Sequence, residues 1–260
     1  MRTALMPAIF VGHGNPMNAI VDNGFTQGWE TVARLIPKPR FIVCISAHWE
    51  TQGTKITYSA SPRTIHDFGG FPKALFDMEY PAPGSPKFAD EIITAYGNNL
   101  VAPDQCWGLD HGAWTVMHRM YPEANIPVLE ISLNYNLSPK EHFNFAKQLA
   151  EFRQKGALII GSGNIVHNLG AAQWDRTDGY DWAINFDQKV KETIKSRDFE
   201  ALLHPERFGK EGALSVPTLE HYLPLLYVLS LASDEEITFF NEEFDLRSIS
   251  MTSVLLHGRA

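Results

Sequence analysis

Short runs of apolar residues recur along this chain and alternate with longer stretches in which apolar residues return every three or four positions. The short runs are continuous, which is typical of strands covered on both faces in a parallel or mixed sheet. They predict strands at residues 8–11, 41–46, 54–58, 127–132, 157–160, 237–240 and 249–255.

The longer stretches have the helical period, and the clearest covers residues 139–155. Ser138 suits the N-cap, Pro139 suits the first helical position, Glu141 completes a capping box, and Gly156 ends the helix. Further helices are predicted to open at Ser85 and to cover residues 182–195 and 219–232. The alternation predicts an α/β fold, a single domain over residues 1–260 with a mixed or largely parallel sheet flanked by helices.

Residues 61–85 break this alternation, because they are rich in glycine, proline and aromatic residues. The segment is too long and irregular for a simple connection, and loops of this kind often serve as lids or binding loops. His66 lies in it, and its role is left open.

Composition narrows the classes of function. The chain has 260 residues and a net charge of −8, without a cluster of Lys and Arg, which argues against a nucleic-acid partner. No apolar run is long enough to span a membrane and no targeting segment is evident, so a cytoplasmic protein is expected. The chain has ten histidines and only two cysteines, so a bound metal would be held by imidazole and carboxylate rather than thiolate.

The positions of the histidines say more than their number. His13, His48 and His167 each follow a predicted strand closely. Ligands bind at the carboxyl ends of strands in open α/β sheets, so the three are expected to share one crevice, which we take as the active site. His111 lies just before a predicted helix and His221 in the first turn of another.

A metal site for oxygen chemistry often combines two histidines with a carboxylate. His13 and His48 would supply the imidazoles, and spacing leaves Glu50, Glu220 and His221 open as the third ligand. The remaining histidines need no functional explanation: His118, His142, His204 and His257.

Other catalytic motifs are poorly matched. The Gly161-Ser162-Gly163 turn lacks the last glycine of a dinucleotide loop, since position 166 is Val166. Neither a G-x-S-x-G nucleophile elbow nor an HExxH zinc motif is present in the sequence.

Seven segments together resemble the class III extradiol ring-cleavage dioxygenases, and within them the 4,5-DOPA extradiol dioxygenase-like branch. They occur in order over nearly the whole chain, at residues 11–18, 46–50, 65–72, 80–86, 109–114, 161–169 and 220–227. Each motif alone has modest specificity for this family, whereas seven motifs in the same order along the chain are highly specific.

The resemblance implies a single-domain α/β enzyme that inserts O₂ into the ring of a small catechol and gives a ring-opened semialdehyde. It implies His13, His48 and His221 as metal ligands and His167 as an acid/base residue close enough to count as a fourth ligand. His111 would touch substrate or oxygen. Fe(2+) would serve catalysis, although a neutral three-histidine set also suits Zn(2+).

Four aromatic residues are candidates for substrate binding, each with core packing as the alternative: Trp49, Phe68, Phe71 and Tyr222. A zinc-dependent hydrolase that uses the same histidines to generate hydroxide is the second hypothesis. The sequence contains no heptad pattern that would predict an oligomeric partner.

Overall fold

The computed structural model describes residues 5–97 and 99–258. Its strands are β1 (Ala8–Gly12), β2 (Phe41–Ser46), β3 (Glu50–Thr51), β4 (Thr54–Thr57), β5 (Val101–Asp104), β6 (Val128–Glu130), β7 (Leu133–Asn134), β8 (Ala157–Gly163), β9 (Glu236–Phe240), β10 (Phe244–Asp245), β11 (Ile249–Ser250) and β12 (Ser253–His257). Its α-helices are α1 (Gly24–Leu35), α2 (Lys73–Phe76), α3 (Pro86–Tyr96), α4 (His111–Met120), α5 (Pro139–Ala146), α6 (Ala150–Gln154), α7 (Asp181–Lys195), α8 (Phe199–Leu202), α9 (Gly209–Ser215) and α10 (Leu223–Leu229).

A six-stranded mixed sheet forms the centre, in the order β6-β2-β8-β1-β12-β9. Strands β6, β2, β8 and β1 are parallel neighbours, while β12 runs antiparallel to β1 and β9 antiparallel to β12. Every residue of β1, β2 and β8 is buried, as their continuous apolar runs require. The predicted fold class, a mixed sheet flanked by helices, is confirmed.

Successive side chains of the central strands point to opposite faces of the sheet and enter two separate cores. Phe10 packs on one face with residues of α5, α7 and α10, and Ile9 packs on the other with residues of α1 and α4. With both faces covered, ligands have access to the sheet at the loops that follow its parallel strands.

Two predicted elements are broken. The capping box of Ser138 and Glu141 is present, but the helix tightens into a 3₁₀ turn at Lys147–Leu149, where Leu149 is fully buried, and resumes as α6. The predicted strand at residues 249–255 splits into β11 and β12, because β11 pairs with β10 while β12 joins the central sheet.

Two other boundaries differ at the edge that carries the histidines. The strand predicted at 127–132 is shorter, Val128–Glu130. The helix predicted at 219–232 begins only at Leu223, with Pro224 in its first turn. His221 therefore lies in the turn that precedes α10 and not within the helix.

Candidate functional site

Five histidines meet at the carboxyl edge of the parallel strands. His13 directly follows β1, His48 follows β2 after one residue, and His167 follows β8 by four positions. His111 opens α4 and His221 precedes α10. All five line one cavity of about 310 Å³, and we call them the floor of this cavity. The sequence-based expectation of one shared crevice is confirmed in its geometry.

The imidazole rings of the floor are in contact. The Nε2 atoms of His13 and His48 are 3.1 Å apart. The His221 ring centroid lies 5.3 Å from that of His13 and 5.0 Å from that of His48. His167 stacks on His221 with centroids 3.4 Å apart.

Glycines of β8 allow His221 to approach the sheet. A Cβ atom on Gly163 would lie 2.1 Å from the His221 carbonyl oxygen, so only glycine fits there. The Asn164 N–H then donates to that same carbonyl at 2.8 Å. The Gly-Ser-Gly turn therefore serves close packing of the His221 segment against β8.

Oxygen acceptors lie beside Nδ1 of three rings. The Ser162 hydroxyl donates to the Gly112 carbonyl, so its oxygen accepts from Nδ1–H of His13 at 3.0 Å. Nδ1 of His221 lies 3.1 Å from a carboxylate oxygen of Glu220, and Nδ1 of His48 lies 3.5 Å from one of Asp67. A proton on each Nδ1 leaves the Nε2 lone pair free, which is the usual arrangement of a metal-binding histidine and its supporting acceptor.

Burial keeps these imidazoles neutral. Loss of hydration lowers the pKa of His13 and of His48, and the neighbouring histidines lower both further. Burial also lowers the pKa of His221, against the opposing effect of Glu220. Burial would raise the pKa of Glu220, but hydrogen bonds from His221 and Thr218 outweigh it and hold this pKa at about 2.

This donor set fits a metal ion. Donor atoms of His13, His48 and His111 lie within 4.8 Å of one another, and so do those of His167, Glu220 and His221. Neutral imidazoles with free lone pairs suit iron and zinc alike. Glu220 contacts His221 through the ring nitrogen that faces away from Nε2, and Glu50 lies outside the cavity lining.

Asp67 joins the loop at residues 61–85 to the floor. One of its carboxylate oxygens accepts the backbone N–H of His111 at 2.9 Å, and the other lies 3.0 Å from Nδ1 of His111. Sequence reasoning quoted the motif that contains Asp67 but assigned the residue no role. Its position in the suspected binding loop, directly between His66 and Phe68, was the available signal.

Apolar side chains surround the opening of the cavity, and we call them the mouth. Its members come from three separate segments: Phe68, Phe71, Leu169, Trp174, Leu246 and Ile249. Leu246 has a φ of 51°, uncommon for a residue with a side chain. Sequence reasoning missed Leu169, Trp174, Leu246 and Ile249, because nothing in the chain links residues so far apart.

The four predicted substrate-binding aromatics are placed differently. Phe68 and Phe71 line the cavity. Trp49 does not, because its buried ring stacks on Trp107 with centroids 5.4 Å apart. Tyr222 does not either, since it turns into the core while the preceding His221 faces the cavity, and its ring lies 6.4 Å from that of Phe186. For Trp49 and Tyr222 the packing alternative is the correct one.

The other histidines lie outside the cavity lining. His66 contacts the Met78 carbonyl at 2.9 Å, and His142 contacts the Tyr227 hydroxyl at 2.9 Å within the core. The rest are His118, His204 and His257.

Residues 5–256 match the family described as LigB, the catalytic LigB subunit of aromatic ring-opening dioxygenase. The chain belongs to this family. It is therefore a metal-dependent extradiol dioxygenase that cleaves aromatic rings, as the resemblance of its motifs predicted.

Individual relatives agree with this assignment. A "4,5-DOPA dioxygenase extradiol" of Escherichia coli (strain K12) is 43% identical over 260 residues, which cover 98% of this chain and 96% of the relative. A protein of the same name from Beta vulgaris is 34% identical, with 86% of each chain covered. The crystal structure of an uncharacterized protein from Escherichia coli K12 superposes with a TM-score of 0.84 at 38% identity, covering 96% of this chain and 99% of the other.

Within residues 5–97 and 99–258, no helix has both the length and the apolar character needed to cross a membrane.

Proposed function

We propose that this chain uses Fe(2+) to insert O₂ into the ring of a catechol of the L-DOPA type, with His13, His48 and His221 as metal ligands. The observation that carries this proposal is the convergence of the His13, His48 and His221 imidazoles, two at parallel strand ends and one before α10, each with an oxygen acceptor beside its Nδ1. The name of the 43% identical relative supports L-DOPA as the first substrate to test.

His221 is the third ligand in this proposal, although His111 competes for that place. Glu220 orients His221 and raises the basicity of its ring, as carboxylates do for histidine ligands. His111 instead contacts Asp67 through both its backbone N–H and its Nδ1. Replacing each with glutamine and measuring bound iron separates them: His221→Gln should lose metal and His111→Gln should keep it.

Bound iron would lower the pKa of the catechol hydroxyls and supply a path for electrons from the ring to O₂. The zinc-loaded chain would hold the same ligands without redox chemistry, because Zn²⁺ has no accessible redox state. Metal content alone therefore does not identify the catalytic metal.

His167 is the base of this proposal. Burial lowers its pKa to about 3, helped by His221 and His111 and opposed by Glu220, so the ring is neutral at physiological pH. A neutral ring can accept the proton of the second catechol hydroxyl. The Glu220 carboxylate then stabilises the imidazolium that forms, and His167 can return the proton when the ring opens. Its stacking on His221 also keeps it close enough to count as a fourth ligand.

His111 assists from beside His48, whose ring centroid lies 3.9 Å from its own. The Asp67 carboxylate accepts the His111 backbone N–H and lies 3.0 Å from its Nδ1, which keeps the ring beside the cavity. The role of His111 is to position substrate and oxygen and stabilise charge that develops on them.

Anaerobic loading with Fe(2+), followed by oxygen-uptake measurements with L-DOPA, caffeate and protocatechuate, tests the proposal. Oxygen uptake with a new yellow product is expected for at least one catechol. Turnover with Zn(2+) alone and no need for oxygen would instead favour the hydrolase. A cytoplasmic setting is consistent with Cys44 and Cys106, both of which are free thiols.

A further inference from the structure

Two buried carboxyl groups lie beside the floor and take no part in the proposed chemistry. Glu130 is the last residue of β6, Asp110 immediately precedes α4, and both are fully buried. The Asp110 backbone N–H donates to Oε1 of Glu130 at 3.0 Å. Two acids in one buried place need an explanation, because burial of a charged carboxylate is costly unless a partner compensates it.

Asp110 connects two elements that carry histidines of the floor. Its Oδ1 accepts the Ala113 N–H at 3.2 Å, which caps α4 and fixes the start of the helix that begins with His111. The same oxygen accepts the Ser46 hydroxyl at 2.6 Å. The Ser46 oxygen in turn accepts the His48 backbone N–H at 3.3 Å. Asp110 therefore joins the end of β2 to the start of α4.

The first turn of α4 packs directly against the His48 segment. A Cβ atom on Gly112 would lie 2.5 Å from the Ser46 hydroxyl oxygen, 2.9 Å from the His48 ring and 3.3 Å from Oδ1 of Asp110. The ring centroids of His48 and His111 are 3.9 Å apart. Because the packing is this close, a displacement of Asp110 would shift the two histidines relative to each other.

Glu130 satisfies the second oxygen of Asp110. Oδ2 of Asp110 is buried, and no N–H of the described chain donates to it. Burial raises the pKa of Glu130 well above its usual value, and the Asp110 carboxylate raises it further through a side-chain hydrogen bond. The other described contacts of the pair are uncharged N–H and O–H groups of Trp107, Ala113 and Ser46, and none is a cation. One proton on Glu130 removes a charge and supplies the donor that Oδ2 lacks.

We propose that Glu130 is a positioning residue of this active site: its carboxyl group holds Asp110, and Asp110 sets the placement of His48 and His111 relative to each other. The inference rests on the proposed function for its kinetic effect, because it takes His48 as a metal ligand and His111 as the residue that positions substrate and oxygen. Glu130 lies outside the cavity lining, so it acts only through its neighbours.

Two substitutions of Glu130 separate its hydrogen bonds from its bulk. Glu130→Gln keeps an acceptor for the Asp110 N–H and a donor for Oδ2, and it changes chiefly the 3.3 Å contact with Nε1 of Trp107. Glu130→Met has a similar size but offers neither donor nor acceptor. Oxygen uptake by the iron-loaded chain should show kcat about 10–100-fold lower in Glu130→Met, as for other residues that support active-site histidines. Glu130→Gln should recover most of this loss.

Glu235→Met is the matched control for loss of a buried carboxyl group. Glu235 is buried against Arg153 just before β9, at the edge of the sheet opposite the histidines. The variant should be less stable in urea, because Arg153 stays buried without its carboxylate, and kcat of the folded chain should not change. A loss of kcat as large as in Glu130→Met would show a general effect of lower stability and contradict the role of Glu130.

The visible absorption spectrum of the Co(2+)-loaded chain reports on the histidines without turnover, because it depends on the geometry of the ligands. It should change in Glu130→Met and stay the same in Glu130→Gln and Glu235→Met. If no catechol is consumed but the spectrum changes in this pattern, the proposed function fails and the positioning role stands.

If catechol is consumed and Glu130→Met alters neither kcat nor the spectrum, the positioning role fails and the proposed function stands. Glu130→Gln carries the test by itself if Glu130→Met does not fold. Full kcat in Glu130→Gln would support a role for Glu130 as a neutral hydrogen-bonding group, and a 10–100-fold loss, about the size expected for removing a supporting residue, would overturn it.

Discussion

The floor and the mouth of the cavity differ in how the chain holds them. His13, His111 and His221 are nearly inaccessible, and oxygen acceptors on neighbouring residues orient the rings of His13 and His221. Trp174 and Leu169 are largely exposed. The floor is fixed by strand ends of a sheet covered on both faces, whereas the mouth is assembled from loops.

This difference separates two tasks of the enzyme. Substitutions in the floor should affect metal and proton chemistry for every substrate. Substitutions in the mouth should change which substrate is used while chemistry and stability persist.

The largest effect is expected from His13→Ala. The variant loses an imidazole at the centre of the cluster and leaves Ser162 without its ring contact. Turnover should fall by more than about 100-fold for all catechols, since even the loss of a supporting residue can cost that much. The amount of bound iron should fall together with turnover. Full metal content with normal turnover would contradict the assignment of His13 as a metal ligand.

His167→Ala should lower kcat by about 10²–10⁴-fold, the range expected for loss of a general acid/base group. Bound iron, measured by elemental analysis, should remain near one equivalent per chain. If the metal is lost together with activity, His167 is a ligand and its assigned role is wrong.

Asp67→Asn removes the charge that holds His111 and faces His48 while keeping the shape of the side chain. We expect kcat/KM to fall about 10–100-fold, as for other residues that orient active-site histidines. Asp77→Asn is the control, because Asp77 is exposed on the same loop region and pairs only with Lys73 among the described contacts. If kcat/KM changes equally in the two variants, Asp67 has no specific role in the site.

The buried histidines of the floor should make the metal-free chain sensitive to acid. The pKa of His167 is lowered from 6.5 to about 3 on folding, so between these values the unfolded chain binds the extra proton. Stability from this group is therefore complete above the unfolded pKa and declines as pH falls below it. Between about pH 7 and about pH 5 the loss should be about 2 kcal/mol from His167 alone.

Urea denaturation of the chelator-treated chain at each pH measures this slope. The His167→Ala variant should show a shallower decline over the same interval. An identical slope in the two proteins would mean that His167 is not protonated more readily on unfolding.

The smallest effect on stability is expected from Trp174→Ala in the mouth. The free energy of unfolding should change by less than about 0.5 kcal/mol, because the side chain is largely exposed. Trp114→Ala should instead cost about 3–5 kcal/mol, since Trp114 is fully buried against the sheet. A large loss in Trp174→Ala would show that the mouth supports the fold.

The sequence could predict the floor because its histidines follow apolar strands, and parallel strands bring their carboxyl ends together. His13, His48 and His167 needed only that rule, while His111 and His221 were added by their local context and by the family motifs. The break at Met251 and Thr252 was not predictable, because one apolar run serves two different sheets.

Most residues of the mouth could not be predicted from the sequence. Leu169, Trp174 and Leu246 meet Phe71 only through tertiary packing of loops with no common period or motif. Trp49 and Tyr222 were candidates because they adjoin histidines in sequence, but a neighbour along the chain can face the opposite direction. Asp67 was visible as part of a motif, and only its distance to His111 gives it a role.

Product analysis after turnover under isotopically labelled dioxygen shows whether the five-histidine floor directs O₂ into a catechol ring. With the iron-loaded chain and unsubstituted catechol, the account predicts oxygen from O₂ in the new carboxylate group of a ring-opened product. The His167→Ala variant should form the same product far more slowly. An intact ring, or product oxygen derived only from water, would contradict the account.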